Sequence, residues 1–199
     1  MSHNIIRANV SGTAHDIFGI WSYLFASGTR VARIWDNVIY DFKNGSQPIR
    51  GIWLGGGNNY VYNNTIYNSD SCFFTGISSP ENAFKNNIAQ GCNTCYTLNS
   101  GGWDASSDYN ISNDDTAPGA HSKKSTTVAF VDAPSGDFHL AAGDTAAKKA
   151  GENLFEDPGL AFSDDIDGEG RAAPWSIGAD GGLYQGKIRN VKLRAVKFR

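Results

Sequence analysis

Five segments of this chain share one pattern, an apolar or aromatic residue leading to Asn and then to an apolar residue or Thr. They are Ile6-Arg7-Ala8-Asn9-Val10, Ile34-Trp35-Asp36-Asn37-Val38, Val61-Tyr62-Asn63-Asn64-Thr65, Phe84-Lys85-Asn86-Asn87-Ile88 and Ser107-Asp108-Tyr109-Asn110-Ile111. The shared Asn falls at 9, 37, 64, 87 and 110, a period of 28, 27, 23 and 23 residues. That length suits one turn of a solenoid built from three short strands and three corners, in which no turn can bury its own apolar face. A second apolar run recurs in each turn: Ile17-Phe18-Gly19-Ile20-Trp21, Ile49-Arg50-Gly51-Ile52-Trp53, Cys72-Phe73-Phe74 and Cys95-Tyr96-Thr97-Leu98. These runs are short and bounded by Gly, Asn, Ser or Pro, which marks them as strands rather than helices. Stacked at a strand spacing of about 4.8 Å, the equivalent Asn residues would form a column. Each amide can donate to one neighbour and accept from the other while tolerating the left-handed backbone of a corner.

Composition agrees with this expectation. Gly numbers 23 and Met only one, few long helix formers are present, and 40% of the chain is apolar. A helical bundle and a disordered chain are both excluded. The period is lost near residue 113, where Asn113-Asp114-Asp115-Thr116-Ala117-Pro118-Gly119 reads as a turn-rich exit. The expected organisation is all-β: parallel β-helix coils over 1–112, about five turns, an irregular C-terminal cap over 113–186 and a basic tail over 187–199. Because the end of a solenoid exposes strand edges and core, residues 113–182 are expected to cover it.

Charge narrows the partners. Residues 187–199 hold six Lys or Arg and no acid, which leaves 11 basic against 20 acidic residues in 1–186. Such a body repels phosphates, so nucleic acid is not an expected partner. No run approaches the roughly 20 apolar residues of a membrane helix, and Met1-Ser2-His3-Asn4 lacks the regions of a signal peptide.

The Asn-Asn-Thr-Ile and Lys-Asn-Asn-Ile turns resemble the repeats of the pectate-lyase-like superfamily of right-handed parallel β-helix proteins. Gly-Asp-Phe-His-Leu at 136–140, Asp-Ile-Asp-Gly at 165–168, Arg171 and Ile-Gly-Ala-Asp at 177–180 resemble the segment that often follows those coils. The resemblance covers roughly residues 4–182. It implies a right-handed coil and a polysaccharide lying along the outer face of one sheet. That superfamily includes lyases, hydrolases, epimerases, tailspikes and inert adhesins, so enzymatic activity stays open. Its members usually have more turns and an N-terminal capping helix, so the chain is expected to be part of a longer protein or a short form. In its enzymes acidic residues hold calcium or activate water while Lys or Arg acts on the sugar acid. Calcium is thus the one cofactor the resemblance admits, and no metal-ligand set stands out.

The outward position of the repeat is occupied by Arg7, Trp35, Tyr62, Lys85 and Asp108, with Arg33, Asp36 and Asp41 beside it and Arg50 on the neighbouring sheet. Cations and aromatics suit sugar rings and their carboxylates, although a solvated strand face collects the same residue types. As a sugar groove this column requires Trp35, Tyr62 and Lys85 exposed together, with Asp36 or Asp108 in reach; buried aromatics would favour an inert rod. Trp21 and Trp53 close equivalent runs, and Tyr40 and Tyr67 lie 27 residues apart; packing is expected of both pairs ahead of a sugar platform.

Cys72 and Cys95 are one turn apart and Cys92 with Cys95 makes a Cys-x-x-Cys. Reduced, buried thiols are expected, with a Cys72–Cys95 bridge the alternative for an exported chain. Asp165-Ile166-Asp167-Gly168 has the spacing of a calcium loop without its distal Glu; the segment recurs together with the Arg in the C-terminal covers it resembles, and that resemblance implies an Asp167–Arg171 pair. Gly55-Gly56-Gly57 precedes no helix, which excludes a phosphate loop.

Two functions follow. One is an exported or virion-associated module that binds a polysaccharide on its outer sheet face and, if an enzyme, cleaves it as a lyase or glycoside hydrolase. The other is a non-catalytic structural or adhesion segment of a larger surface protein or phage fibre, whose partners are further domains of a longer chain or other copies. Both place the chain outside the cell, on its surface or on a virion.

Overall fold

The computed structural model describes residues 1–8, 17–23, 31–43, 49–77, 82–99 and 102–182. The chain coils as the repeat requires. The first turn contributes β1 (Ile5–Arg7), β2 (Phe18–Tyr23) and β3 (Val31–Trp35), and the second β4 (Val38–Phe42), β5 (Arg50–Gly55) and β6 (Asn58–Tyr62). The third has β7 (Thr65–Ser69), β8 (Ser71–Ile77) and β9 (Asn82–Lys85), followed by β10 (Ile88–Gln90), β11 (Thr94–Leu98) and β12 (Ile111–Ser112). Equivalent strands pair in parallel, giving three sheets of order β1-β4-β7-β10-β12, β2-β5-β8-β11 and β3-β6-β9. An antiparallel pair, β13 (Phe130–Asp132) and β14 (Asp137–Leu140), lies outside the coil. The fold is an all-β parallel β-helix.

Register explains the core. Ile39 pairs with Ile66, Ile52 with Phe73, and Ile34 with Val61 and so with Phe84, each fully or nearly fully buried. Burial of such a side chain is worth about 1.5–3 kcal/mol, and stacking like on like repeats that gain at every turn. Phe73 and Tyr96 stack at 4.8 Å between ring centres, closing the interior at the later coils.

The corner between the β3-type and β4-type strands is set by a residue pair. His3, Asp36, Asn63, Asn86 and Tyr109 all have φ between 48° and 56°, the left-handed conformation that turns the chain. The next residue in each case is Asn. Asn4 Nδ2 donates to Asn37 Oδ1 at 2.9 Å, Asn37 to Asn64 at 2.9 Å, Asn64 to Asn87 at 3.0 Å and Asn87 to Asn110 at 3.0 Å. Among the described residues the ladder therefore begins at Asn4; Asn9 lies outside the described residues. The sequence offers two Asn residues near the first turn, and only strand register, Ile5 opposite Val38, selects between them. Arg7 moves with that correction: it lies opposite Tyr40, on a different sheet from Trp35.

Residues 113–182 do more than cover an end. Ala117 enters the core, Asp114 and Thr116 accept the Cys95 and Tyr96 N–H groups, and Lys123 pairs with Ile111, so residues 113–123 close the last coil. The chain then returns along two flanks. Phe130 and Phe138 pack on Tyr40 and Tyr67, while Leu154, Leu160, Phe162 and Trp175 pack on Trp35, Tyr60 and Tyr62. Residues 183–199, including the basic tail, lie outside the described residues.

Cys72 is the reduced, buried thiol expected, but Cys92 and Cys95 depart from both expectations. Cys92 and Cys95 form a disulfide and Cys72 is a free, buried thiol. The short separation places the Cys92 and Cys95 Cα atoms 5.3 Å apart, within bridging range.

Candidate functional site

Four of the five residues of the predicted column share one, without Arg7, and that column is roofed. Trp35, Tyr62, Lys85 and Asp108 follow one another on adjacent turns. Tyr62 is 1% and Lys85 8% exposed, because segment 152–175 lies over them. Asp157 organises the contact: it accepts the Tyr62 hydroxyl at 3.2 Å, Lys85 Nζ at 2.9 Å and the N–H groups of Gly159 and Leu160. Glu152 is a second partner of Lys85 at 3.3 Å. Burial by itself raises the Asp157 carboxyl and lowers the Lys85 ammonium, but their mutual hydrogen bond prevails, so Asp157 ends below and Lys85 above its ordinary value. Burial, and then Asp157, push the Tyr62 phenol up. Each group is locked in its usual ionisation state, the opposite of a general acid or base poised near neutrality.

The remaining predicted residues are also engaged. Arg33 donates to the Gly159 carbonyl at 2.9 Å. Asp108 accepts from His121 at 2.5 Å and from the His121 and Tyr109 N–H groups. Arg7 pairs with Asp41 at 2.8 Å over the Tyr40 ring. Asp36 is fully buried and bound at 2.5 Å by Arg171, itself 0% exposed. Arg171 therefore does not pair with Asp167, which meets His139 Nε2 at 2.8 Å instead. The Asp165 carboxylate is occupied by the N–H groups of Asp167, Glu169 and Gly181, so the calcium-like loop is tied by its own backbone. Two clefts stay open on this flank, one of about 530 Å³ beside Lys85, Glu152, Phe155 and Asp157 and one of about 330 Å³ beside Tyr60, Tyr62, Lys85, Asp104 and Asp157.

The β2-β5-β8-β11 sheet carries a different surface. On its outer face Trp21 stands opposite Trp53 and Tyr23 opposite Gly55, and Trp21 is 60% exposed. The Tyr23 and Trp53 rings are parallel within 4° at 5.6 Å, Trp21 is 5.6 Å from Trp53, and Phe18 lies 5.7 and 5.6 Å from the two indoles. The Arg50 guanidinium sits between Phe18 and Phe74, 4.3 Å from the Phe74 centre. Glycine makes room for the rings. A Cβ on Gly76 would come within 2.7 Å of the Trp53 indole, and one on Gly55 would strike the Tyr23 ring.

Trp21 and Trp53 are thus neighbours, as their spacing implies, but they form an outer platform rather than interior packing. Tyr40 and Tyr67 are packed under Phe138. Tyr23 carries no repeat signal of its own; the glycines opposite and beyond it are the trace it leaves in the sequence.

No protein-family model, curated protein or solved structure matches this chain at a significant level.

Proposed function

We propose that the chain is a carbohydrate-binding β-helix module, a member of the pectate-lyase-like superfamily, that holds a polysaccharide across the outer face of the β2-β5-β8-β11 sheet. One observation carries this reading: Trp21, Tyr23 and Trp53 form an aromatic cluster on the outer face of the coil, with Trp21 60% and Tyr23 37% exposed. Exposed aromatic clusters of this kind mark binding sites, and ring faces with polar edges suit the C–H faces of sugar rings flanked by hydroxyls. Arg50, packed between Phe18 and Phe74, lies at the margin of the platform. The platform residues Phe18, Trp21, Tyr23, Arg50, Trp53 and Phe74 include no acid, so the reading is binding without cleavage. The Cys92–Cys95 bridge supports an oxidising, extracellular setting.

The test is titration with polygalacturonate, alginate and neutral xylan, followed by tryptophan fluorescence and calorimetry. Binding is expected for at least one of these polymers, weakened about tenfold or more by Trp21→Ala and by Tyr23→Ala, since aromatic anchors dominate such contacts. Lys85→Ala should leave it unchanged. Absence of binding to every polymer, or binding indifferent to Trp21→Ala, overturns the proposal.

A second reading, a non-catalytic structural segment of a larger surface protein or fibre, draws on the roofing of Trp35, Tyr62 and Lys85 by the chain's own segment. A silent carbohydrate panel with an intact fold would favour it.

A further inference from the structure

The left-handed corner column changes chemistry at the first two coils. Lower down it is Asn63 and Asn86, which bond each other at 3.2 Å and reach the Ser176, Gly178 and Glu152 carbonyls. Above them the same positions are Asp36 and His3. The Asp36 carboxylate uses Oδ1 for Arg171, while Oδ2 is buried with no hydrogen-bond partner. An orphaned carboxylate oxygen in a fully buried side chain is costly. It is aimed at His3 Nε2, 4.0 Å away, and Asp164 Oδ2 approaches the same nitrogen at 3.5 Å.

We propose that His3, Asp36 and Asp164 bind one divalent transition ion, with Zn²⁺ the ion best suited to the set. One imidazole and two carboxylates are ligands that zinc accepts at about 2.0–2.2 Å, which puts donors around a tetrahedral ion roughly 3.4 Å apart. The three donor atoms lie within 4.8 Å of one another, so a small contraction completes the geometry. The field favours a cation: among the described residues Asp36 is flanked by two further acids, Asp164 and Asp165, and by the one cation Arg171. Arg171 also supplies the support that metal-bound carboxylates require, since it bonds Asp36 Oδ1 and, through Nε, the Asp164 carbonyl at 2.9 Å. His3 and Asp164 are partly exposed, which leaves a fourth position to water. The ion would join the first coil, the second coil and the returning flank.

The experiment uses the full chain, stripped with EDTA and titrated with Zn²⁺ by calorimetry, with Co²⁺ absorption as a report of coordination. One ion per chain is expected. His3→Ala and Asp164→Asn, both at partly exposed positions, should each weaken it by about tenfold or more and abolish the rise in melting temperature that Zn²⁺ gives the parent chain. His139→Gln, at the other histidine–carboxylate cluster, should change neither. Absence of a zinc isotherm overturns the proposal, as does binding that survives His3→Ala or disappears with His139→Gln.

Discussion

Replacing Asn64 by Ala tests whether the amide ladder holds the coils in register. Asn64 Oδ1 accepts the Asn37 N–H at 3.2 Å and Asn37 Nδ2 at 2.9 Å; its own Nδ2 donates at 3.0 Å to Ile34 O, Tyr62 O and Asn87 Oδ1. All of this is buried. A buried donor that loses its acceptor costs about 1–3 kcal/mol; the Asn37 N–H does, while Asn37 Nδ2 keeps the Met1 and Trp35 carbonyls, so with the lost donations the loss should be about 2–4 kcal/mol. That is a large part of the roughly 5–15 kcal/mol of an ordinary domain. Asn4→Ala, at the half-buried first rung, should cost only about 1 kcal/mol. Urea unfolding followed by tryptophan fluorescence and circular dichroism measures both. Asn64→Asp sharpens the test, because it keeps the acceptor and the size but turns a carboxylate toward three acceptors. Its folded pKa should lie above the unfolded value of about 3.9, so its deficit should grow as pH rises from that value. The reasoning fails if Asn64→Ala stays within about 1 kcal/mol of the parent, or if the inner and outer rungs cost the same.

Three further outcomes follow. Arg171→Met should destabilise by about 3–5 kcal/mol, because it strands the buried Asp36 carboxylate, and adding Asp36→Leu should recover part of the loss in a double-mutant cycle. His139, held by Asp167 and Asp137 against the opposing effect of burial, has its pKa raised from 6.5 to about 9. Its contribution should be fully present below pH 6.5 and lost as pH rises through about 9; allowing for its partial exposure it is worth about 1–2 kcal/mol, and His139→Gln should flatten the stability–pH curve over that window. Thiol titration of the unfolded, unreduced chain should find one reactive group, Cys72, and three after reduction; opening so short a loop should cost about 2 kcal/mol.

Much of the coil is legible before any coordinates. Asn37, Asn64, Asn87 and Asn110 announce themselves by spacing, and so do the inward Ile and Phe residues, because each contact joins residues one period apart in the chain. The exposed site was less legible. Trp21 and Trp53 could be paired by register, yet whether they faced water or core depended on which sheets were covered. That was decided by residues 128–182, whose Phe138, Asp157 and Trp175 carry no period.

The amino-acid order by itself determined that the chain must stack, where most turns fall and which side chains enter the core, since periodic stacking propagates one local rule. Tertiary structure alone decided that Lys85 and Asp36 are taken by Asp157 and Arg171, and that Trp21 on the aromatic sheet stands exposed. Those outcomes rest on how an aperiodic segment fits a surface across more than 70 residues of chain, and shape complementarity at that range leaves no repeat to read.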